Sequence, residues 1–292
     1  MKKETVEAVL AIVVAVAVAA AVAWAGSRGS VAVGGLPLFA ICASLAFAMQ
    51  WVAFVPAYAL QTERFFDLTG AVTYLTVMAS ALFLRGSQDP RSLIIALLVG
   101  IWAVRLGVFL FSRVRSAGFD RRFVALKPRF AVFLMTWTLQ GLWVVLTLGA
   151  GLAVMTTTDR VPIGWVGAVG LLLWVAGFAI EVVADNEKRL FRANPANKDH
   201  FIRHGLWAWS RHPNYFGEVL LWVGIATIAA PALSGWQRVT LVSPLFVYLL
   251  LTRISGVPLL EALAERKWSG DPEYQAYRRS TPSLILRPPR KT

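Results

Sequence analysis

The chain has 292 residues, 57% of them hydrophobic and only 15% charged, with a mean hydropathy of +0.61. That balance excludes a soluble globular domain and implies an all-α, polytopic integral membrane helix bundle with seven to eight transmembrane helices. A net charge of +13 fits basic cytoplasmic loops and membrane lipid rather than nucleic acid, and a single cysteine, Cys42, leaves no disulfide to form.

Residues 6–25 form one apolar stretch behind Lys2-Lys3. Ala23-Trp24-Ala25 resembles a signal-peptide cleavage site, but Glu4 and Glu7 spoil a basic leader, so the stretch reads as a first membrane helix. Further apolar runs follow at 36–58, 68–84, 93–111, 130–154, 163–184, 215–230 and 239–251. Residues 1–35 thus form an extra helix and loop ahead of a bundle over 36–289, the whole being a single membrane domain.

Loop charge sets the orientation. Arg113, Arg115, Arg121, Arg122, Lys127 and Arg129 fill one loop, and Lys188, Arg189, Arg192, Lys198, Arg203 and Arg211 fill another. The tail is basic through Arg290 and Lys291, whereas loops 156–162 and 232–238 hold one basic residue each. Basic loops stay inside, which puts both termini in the cytoplasm together with the turn at 61–67 and the one at 210–218. Tryptophans near the second turn (Trp207, Trp209 and Trp222) read as interface anchors.

The densest polar stretch is Ser210-Arg211-His212-Pro213-Asn214-Tyr215-Phe216-Gly217-Glu218, running straight into an apolar segment. Pro is at home in the first turn of a helix, so His212 caps a membrane helix that begins at Pro213. Asn214 and Glu218 then share a face. Upstream, Glu181, Asp185, Arg189 and Arg192 fall close to one face of a helix leaving the membrane. Two readings fit that stripe: a salt-bridged helix end, or a nucleotide site in which the guanidinium forks take phosphates. Asp67 and Tyr74 stand two turns apart at the mouth of another helix, after Glu63. They fit either a capped helix start or a carboxylate holding a phenol that polarises a ketone. Arg105 lies inside a span, where it either faces a cavity or snorkels outward. His200 and His204 have metal-like spacing but no third ligand beside them, so no metal is expected.

The run RHPNYFGE resembles the C-terminal domain of the steroid 5-alpha-reductase family, in particular its bacterial branch known as DUF1295. QTERFFDLTGAVTY and DPEYQAYRRSTPSLI are similar to the same branch, and the resemblance spans about residues 36–289. A shorter RHPxYxGE also recurs in sterol reductases and in isoprenylcysteine carboxyl methyltransferases. The resemblance implies NADPH, with Asp185, Arg189 and Arg192 matching the family's dinucleotide spacing and Asn214 and Glu218 its nicotinamide side. Arg211, His212, Tyr215 and Arg105 complete the expected cofactor set. By length, the family's catalytic Glu falls near Asp67 and its Tyr near Trp102, which has no acidic proton. Asp67 and Tyr74 therefore stand as the catalytic pair, with Glu63 as the alternative carboxylate.

The expected activity is NADPH-dependent reduction of a C=C bond conjugated to a ketone. The substrate is a steroid-like or other lipid arriving from the bilayer, and the protein is a monomer in a bacterial inner membrane with its cofactor site toward the cytoplasm. An S-adenosylmethionine-dependent methyltransferase is the alternative, disfavoured because that cofactor has no phosphate for Arg189 and Arg192. A catalytically silent lipid-binding relative is the third reading.

Overall fold

A computed structural model describes residues 2–86 and 89–289. Arg290 and Lys291 of the basic tail, and the side chains of Lys2 and Arg121, lie outside the described residues. Ten α-helices can be followed: α1 (Lys2–Gly26), α2 (Leu38–Ala59), α3 (Phe66–Arg85), α4 (Pro90–Ala117), α5 (Phe130–Thr156), α6 (Trp165–Ala193), α7 (Pro213–Ala229), α8 (Ser243–Leu249), α9 (Val257–Trp268) and α10 (Pro272–Ser280). Among the described residues, eight segments are long and apolar enough to cross a membrane, so this is an integral multi-pass membrane protein. Seven of them are the runs read from the sequence, with ends shifted by up to four residues except in the sixth, which runs nine residues further, to Ala193. The eighth is longer and broken. It begins as a 3₁₀ stretch at Gly235–Val242, continues through α8, loosens into a π-helical turn at Leu250–Ile254 and resumes as α9.

The chain divides into two compact units, Met1–Val166 with Ile228–Ser243, and Gly167–Thr227 with Pro244–Thr292. In the first unit α5 is the axis. It carries no charge from Phe130 to Thr156, and its second half is buried on every side. Helices α1, α2, α3 and α4 and the 235–242 stretch all pack on it. The face that α1 turns inward is small: Ala8, Ala15, Ala19 and Ala25 are buried with Val22, while Val6, Leu10 and Val13 are exposed.

Arg91 closes one end of this unit. It follows Pro90 at the start of α4, where Asp89 caps the helix by accepting from the N–H groups of Arg91 and Ser92, both at 3.1 Å. Its guanidinium is 1% exposed and donates to the carbonyls of Val161 (3.2 Å), Pro162 (2.7 Å) and Ile228. A buried Arg is tolerable there because it satisfies three chain ends that no helix can satisfy. In the second unit α6 and α7 lie against each other, and the segment from α9 to Arg287 folds back on residues 207–212.

Candidate functional site

The polar side chains of the second unit are positioned by glycine. A Cβ on Gly177 would stand 2.5 Å from the Leu221 nitrogen and 2.6 Å from the Gly217 oxygen. One on Gly217 would stand 2.6 Å from the Gly177 oxygen and 2.7 Å from the Glu181 nitrogen, and one on Gly224 would stand 2.6 Å from the Trp174 nitrogen. Gly170 and Gly177 on α6, and Gly217 and Gly224 on α7, are each seven residues apart, so one glycine-bearing face on each helix lets the two backbones touch. Small residues play this part between membrane helices generally. The register carries on past the glycines. Glu181 comes beside Gly217, and one turn further Asn214 Nδ2 donates to Asp185 Oδ1 at 3.1 Å. Glu181, Asp185 and Glu218 are all buried.

Asp185 and Asn214 thus meet across the two helices, and Glu218 lies one turn beyond Asn214 on α7. Arg189 and Arg192 are exposed on the last turns of α6, where cations complement the helix dipole. Arg189 Nη2 donates to Asn186 Oδ1 at 2.8 Å.

Arg211 and His212 are a different matter. His212 does precede the helix as read, with its carbonyl accepting from Phe216 N–H (3.2 Å) and its own N–H donating to Ser210 Oγ (3.1 Å). Its ring and the Arg211 guanidinium turn inward onto Glu261 of α9. Arg211 Nε donates to Glu261 Oε1 at 2.9 Å, and His212 Nε2 meets the same oxygen at 3.1 Å. Arg211 Nη1 also donates to the Arg278 carbonyl at 2.6 Å. The Tyr215 ring stacks on His212 at 5.6 Å and 9°. Burial pushes the imidazole pKa below its ordinary value, against the pull of Glu261 in the other direction.

The tail completes this clasp: Tyr277 Oη donates to the Trp207 carbonyl (2.7 Å) and Arg211 N–H to the Pro282 carbonyl (2.9 Å). Trp207 and Trp222 are buried rather than the interface anchors expected, Trp207 because its Nε1 donates to the Ala184 carbonyl of α6 at 3.0 Å. Trp209 stays 41% exposed. Among the described residues no three His, Cys, Asp or Glu side chains converge as a metal set.

The first unit holds the other candidates. Asp67 lies in the first turn of α3 and pairs with Arg122 at 3.4 Å, which also grips Asp120 at 2.6 Å. Tyr74, two turns on and about 10 Å further along the axis, is buried with its hydroxyl on Thr147 Oγ1 of α5. Asp67 is thus held by Arg122 and Tyr74 by Thr147, so each of the two expected catalytic residues has a partner on another segment. The Tyr74 ring stands edge-on to Trp102, centroids 5.3 Å apart.

Glu63 is buried between Lys127 Nζ and the Asp120 N–H, the latter at 2.8 Å. Burial raises its pKa, but these two donors outweigh it and the net shift is downward. Glu63 is thus a fixed carboxylate that ties loop 60–65 to loop 118–129, on a groove also lined by Gln61, Phe65 and Phe119. Arg105 sits on α4 with its guanidinium 5.3 Å over the ring of Phe109, one turn along the same helix.

The residues that sequence reasoning missed are mostly neutral. Gln50 Nε2 donates to Thr73 Oγ1 (2.8 Å), Trp51 Nε1 to Thr138 Oγ1 (3.1 Å) and Gln140 Nε2 to the Phe66 carbonyl (3.1 Å). Glu261 was missed as well.

Eight spans and a polar helix seam define a multi-pass membrane protein with a built polar site. Residues 53–281 match the family described as a protein of unknown function (DUF1295), and the chain belongs to that steroid 5-alpha-reductase-like family. No curated protein and no solved structure matches the chain.

Proposed function

We propose that this protein is an NADPH-dependent reductase of a C=C bond conjugated to a ketone in a lipophilic substrate drawn from the bilayer. The observation that carries the reading is the α6–α7 seam. It sets a hydrogen-bonded Asp185–Asn214 pair with buried Glu218 one turn further along α7, and beyond Asp185 on α6 stand the exposed guanidiniums of Arg189 and Arg192.

That donor set fits a dinucleotide. Arg189 and Arg192 are free to reach water and would hold phosphate oxygens, where Arg is better suited than Lys. Asp185, Asn214 and Glu218 would orient the sugar and amide groups. Arg211 would act through the shape of the turn, since Glu261 engages its guanidinium. NADPH, if held there, would supply a hydride to the carbon β to the ketone, with a proton taken up at the α-carbon.

The chain's own residues have the remaining tasks. The Tyr74 hydroxyl gives its proton to Thr147 Oγ1, whose own proton goes to the Trp143 carbonyl; turned to the substrate instead, it would donate to the ketone oxygen and stabilise the charge that develops on it. This phenol stands against Trp102, the position where the family's Tyr was expected, so an acidic hydroxyl is present in that neighbourhood. Asp67, locked to Arg122, would hold the start of α3 in place. In this reading both termini and the nucleotide site face the cytoplasm of a bacterial inner membrane, following the basic loops.

The test is turnover. Purified protein given NADPH and a panel of lipophilic enones should oxidise the nucleotide in step with loss of the conjugated double bond. Nucleotide binding without turnover on any enone would favour a silent lipid-binding relative. Methyl transfer from S-adenosylmethionine with no NADPH binding would replace the reading with the methyltransferase one.

A further inference from the structure

The imidazole of His212 is 6% exposed, yet only one of its nitrogens is engaged among the described residues. Nε2 meets Glu261 Oε1 at 3.1 Å. Glu261 sits between Arg211 Nε at 2.9 Å and Arg278 Nε at 3.8 Å, so it stands as a carboxylate and can only accept. Nε2 must therefore carry the proton. Nδ1, on the far side of the ring, is buried and meets no partner. In the neutral ring it is a lone pair waiting for a donor; in the charged ring it would be an N–H with nowhere to give its proton. Burial favours the neutral ring. An unmet buried acceptor is unfavourable, and a ligand group that meets it is correspondingly favoured.

We infer that Glu261 is a positioning residue that fixes the Nε2–H tautomer of His212, so that Nδ1 forms an acceptor subsite for a hydroxyl or amide N–H of the nucleotide. This rests on the nucleotide reading above for the identity of the donor, but the tautomer itself does not. The stack of Tyr215 on the ring at 5.6 Å, and the fit of Tyr215 against Gly256, where a Cβ would stand 2.8 Å from its Cε2, hold the ring plane that the subsite needs. Glu261 comes from the tail helix α9, so the C-terminal segment is a working part of the site.

The chain has three histidines, His200 and His204 being exposed, so ¹⁵N-histidine NMR of the full-length protein resolves the question directly. The buried ring should show a protonated Nε2 and a bare Nδ1. Adding NADPH, with binding followed by the nucleotide's own fluorescence in the same sample, should move the Nδ1 resonance toward that of a hydrogen-bonded acceptor. In Glu261→Gln, whose amide can either donate or accept, the tautomers should mix, and NADPH should bind up to roughly tenfold more weakly, the loss of one hydrogen bond.

An Nδ1–H tautomer in the parent protein overturns the inference, and that measurement needs no variant to fold. NADPH binding that leaves Nδ1 unmoved overturns the inference and spares the nucleotide reading. Failure of the parent to bind NADPH overturns both the nucleotide reading and the ligand assigned to Nδ1, whichever tautomer is found.

Discussion

The α6–α7 seam and the α2–α3–α5 interior solve the same problem, polar groups among membrane helices, by opposite means. At the seam, glycines bring two backbones together, with Asp185 and Glu218 buried and, further along α6, Arg189 and Arg192 exposed. In the interior the helices stay a side chain apart, and the polar contacts are neutral: Gln50 to Thr73, Trp51 to Thr138, Tyr74 to Thr147. The difference follows from solvation. A charge in hydrocarbon is expensive unless water or a counter-charge is near, whereas an amide or hydroxyl needs only one partner on the next helix. A region that can hold carboxylates and guanidiniums suits a charged cofactor, and one that holds only hydroxyls and amides suits a lipid with a single carbonyl.

The largest effect expected is on the seam itself. Gly217→Leu should leave no folded protein in detergent, because its side chain would have to occupy backbone of α6. Gly217→Ala should cost about 1–3 kcal/mol, as overpacking does. Gly270, where a Cβ would meet nothing within 4 Å, provides the control: Gly270→Ala should melt like the parent. Equal thermal unfolding of all these variants would break the claim that α6 and α7 are joined backbone to backbone.

The interior should respond in rate rather than in folding. Tyr74→Phe removes one hydroxyl while Thr147 keeps its bond to the Trp143 carbonyl at 2.8 Å. Enone turnover should fall by roughly 10²–10³-fold with NADPH affinity unchanged, as for loss of one donor to a developing oxyanion. Full activity in this variant would remove the interior from the chemistry and leave it a purely structural contact.

Glu63 sharpens the comparison from the other side. It is an acid in the first unit that is tied down as an anion, so Glu63→Gln should lower stability by about 1–3 kcal/mol and leave turnover near that of the parent. Its folded pKa lies below the ordinary glutamate value, about 4.3. The stabilisation it gives is thus complete above that value and disappears as pH falls through the depressed folded one. Melting curves between pH 6 and 3 should show the parent losing its advantage over Glu63→Gln toward the acid end. An advantage that persists unchanged would mean the Lys127 contact contributes nothing.

How far each region could be read from sequence follows from the same contrast. Spans are written in apolar runs, so eight of them were legible, and the blurred one is the segment where 3₁₀ and π turns interrupt the helical period. Asp185 and Asn214 could be found because charges near a membrane stand out and the α6 stripe keeps helical spacing. The seven-residue glycine spacing on α6 and α7 was present to be read, but a glycine in an apolar run gives no sign of what it touches. Glu261 had no local signal at all: it lies about fifty residues from Arg211, and only the folded tail brings them together. For Asp67 and Tyr74 the shared helix face was legible, but their partners Arg122 and Thr147 lie on distant segments and left no local signal.

Binding of NADPH to the second unit's site is the central claim, and a fluorescence titration tests it most directly. The parent should bind NADPH saturably and S-adenosylmethionine not at all. Arg189→Ala and Arg192→Ala should each weaken NADPH by roughly tenfold, the loss of a charge-assisted hydrogen bond, with Tyr74→Phe as the unaffected reference. Unchanged affinity in both arginine variants, or no binding by the parent, would contradict the account and return the α6 stripe to a solvated helix end.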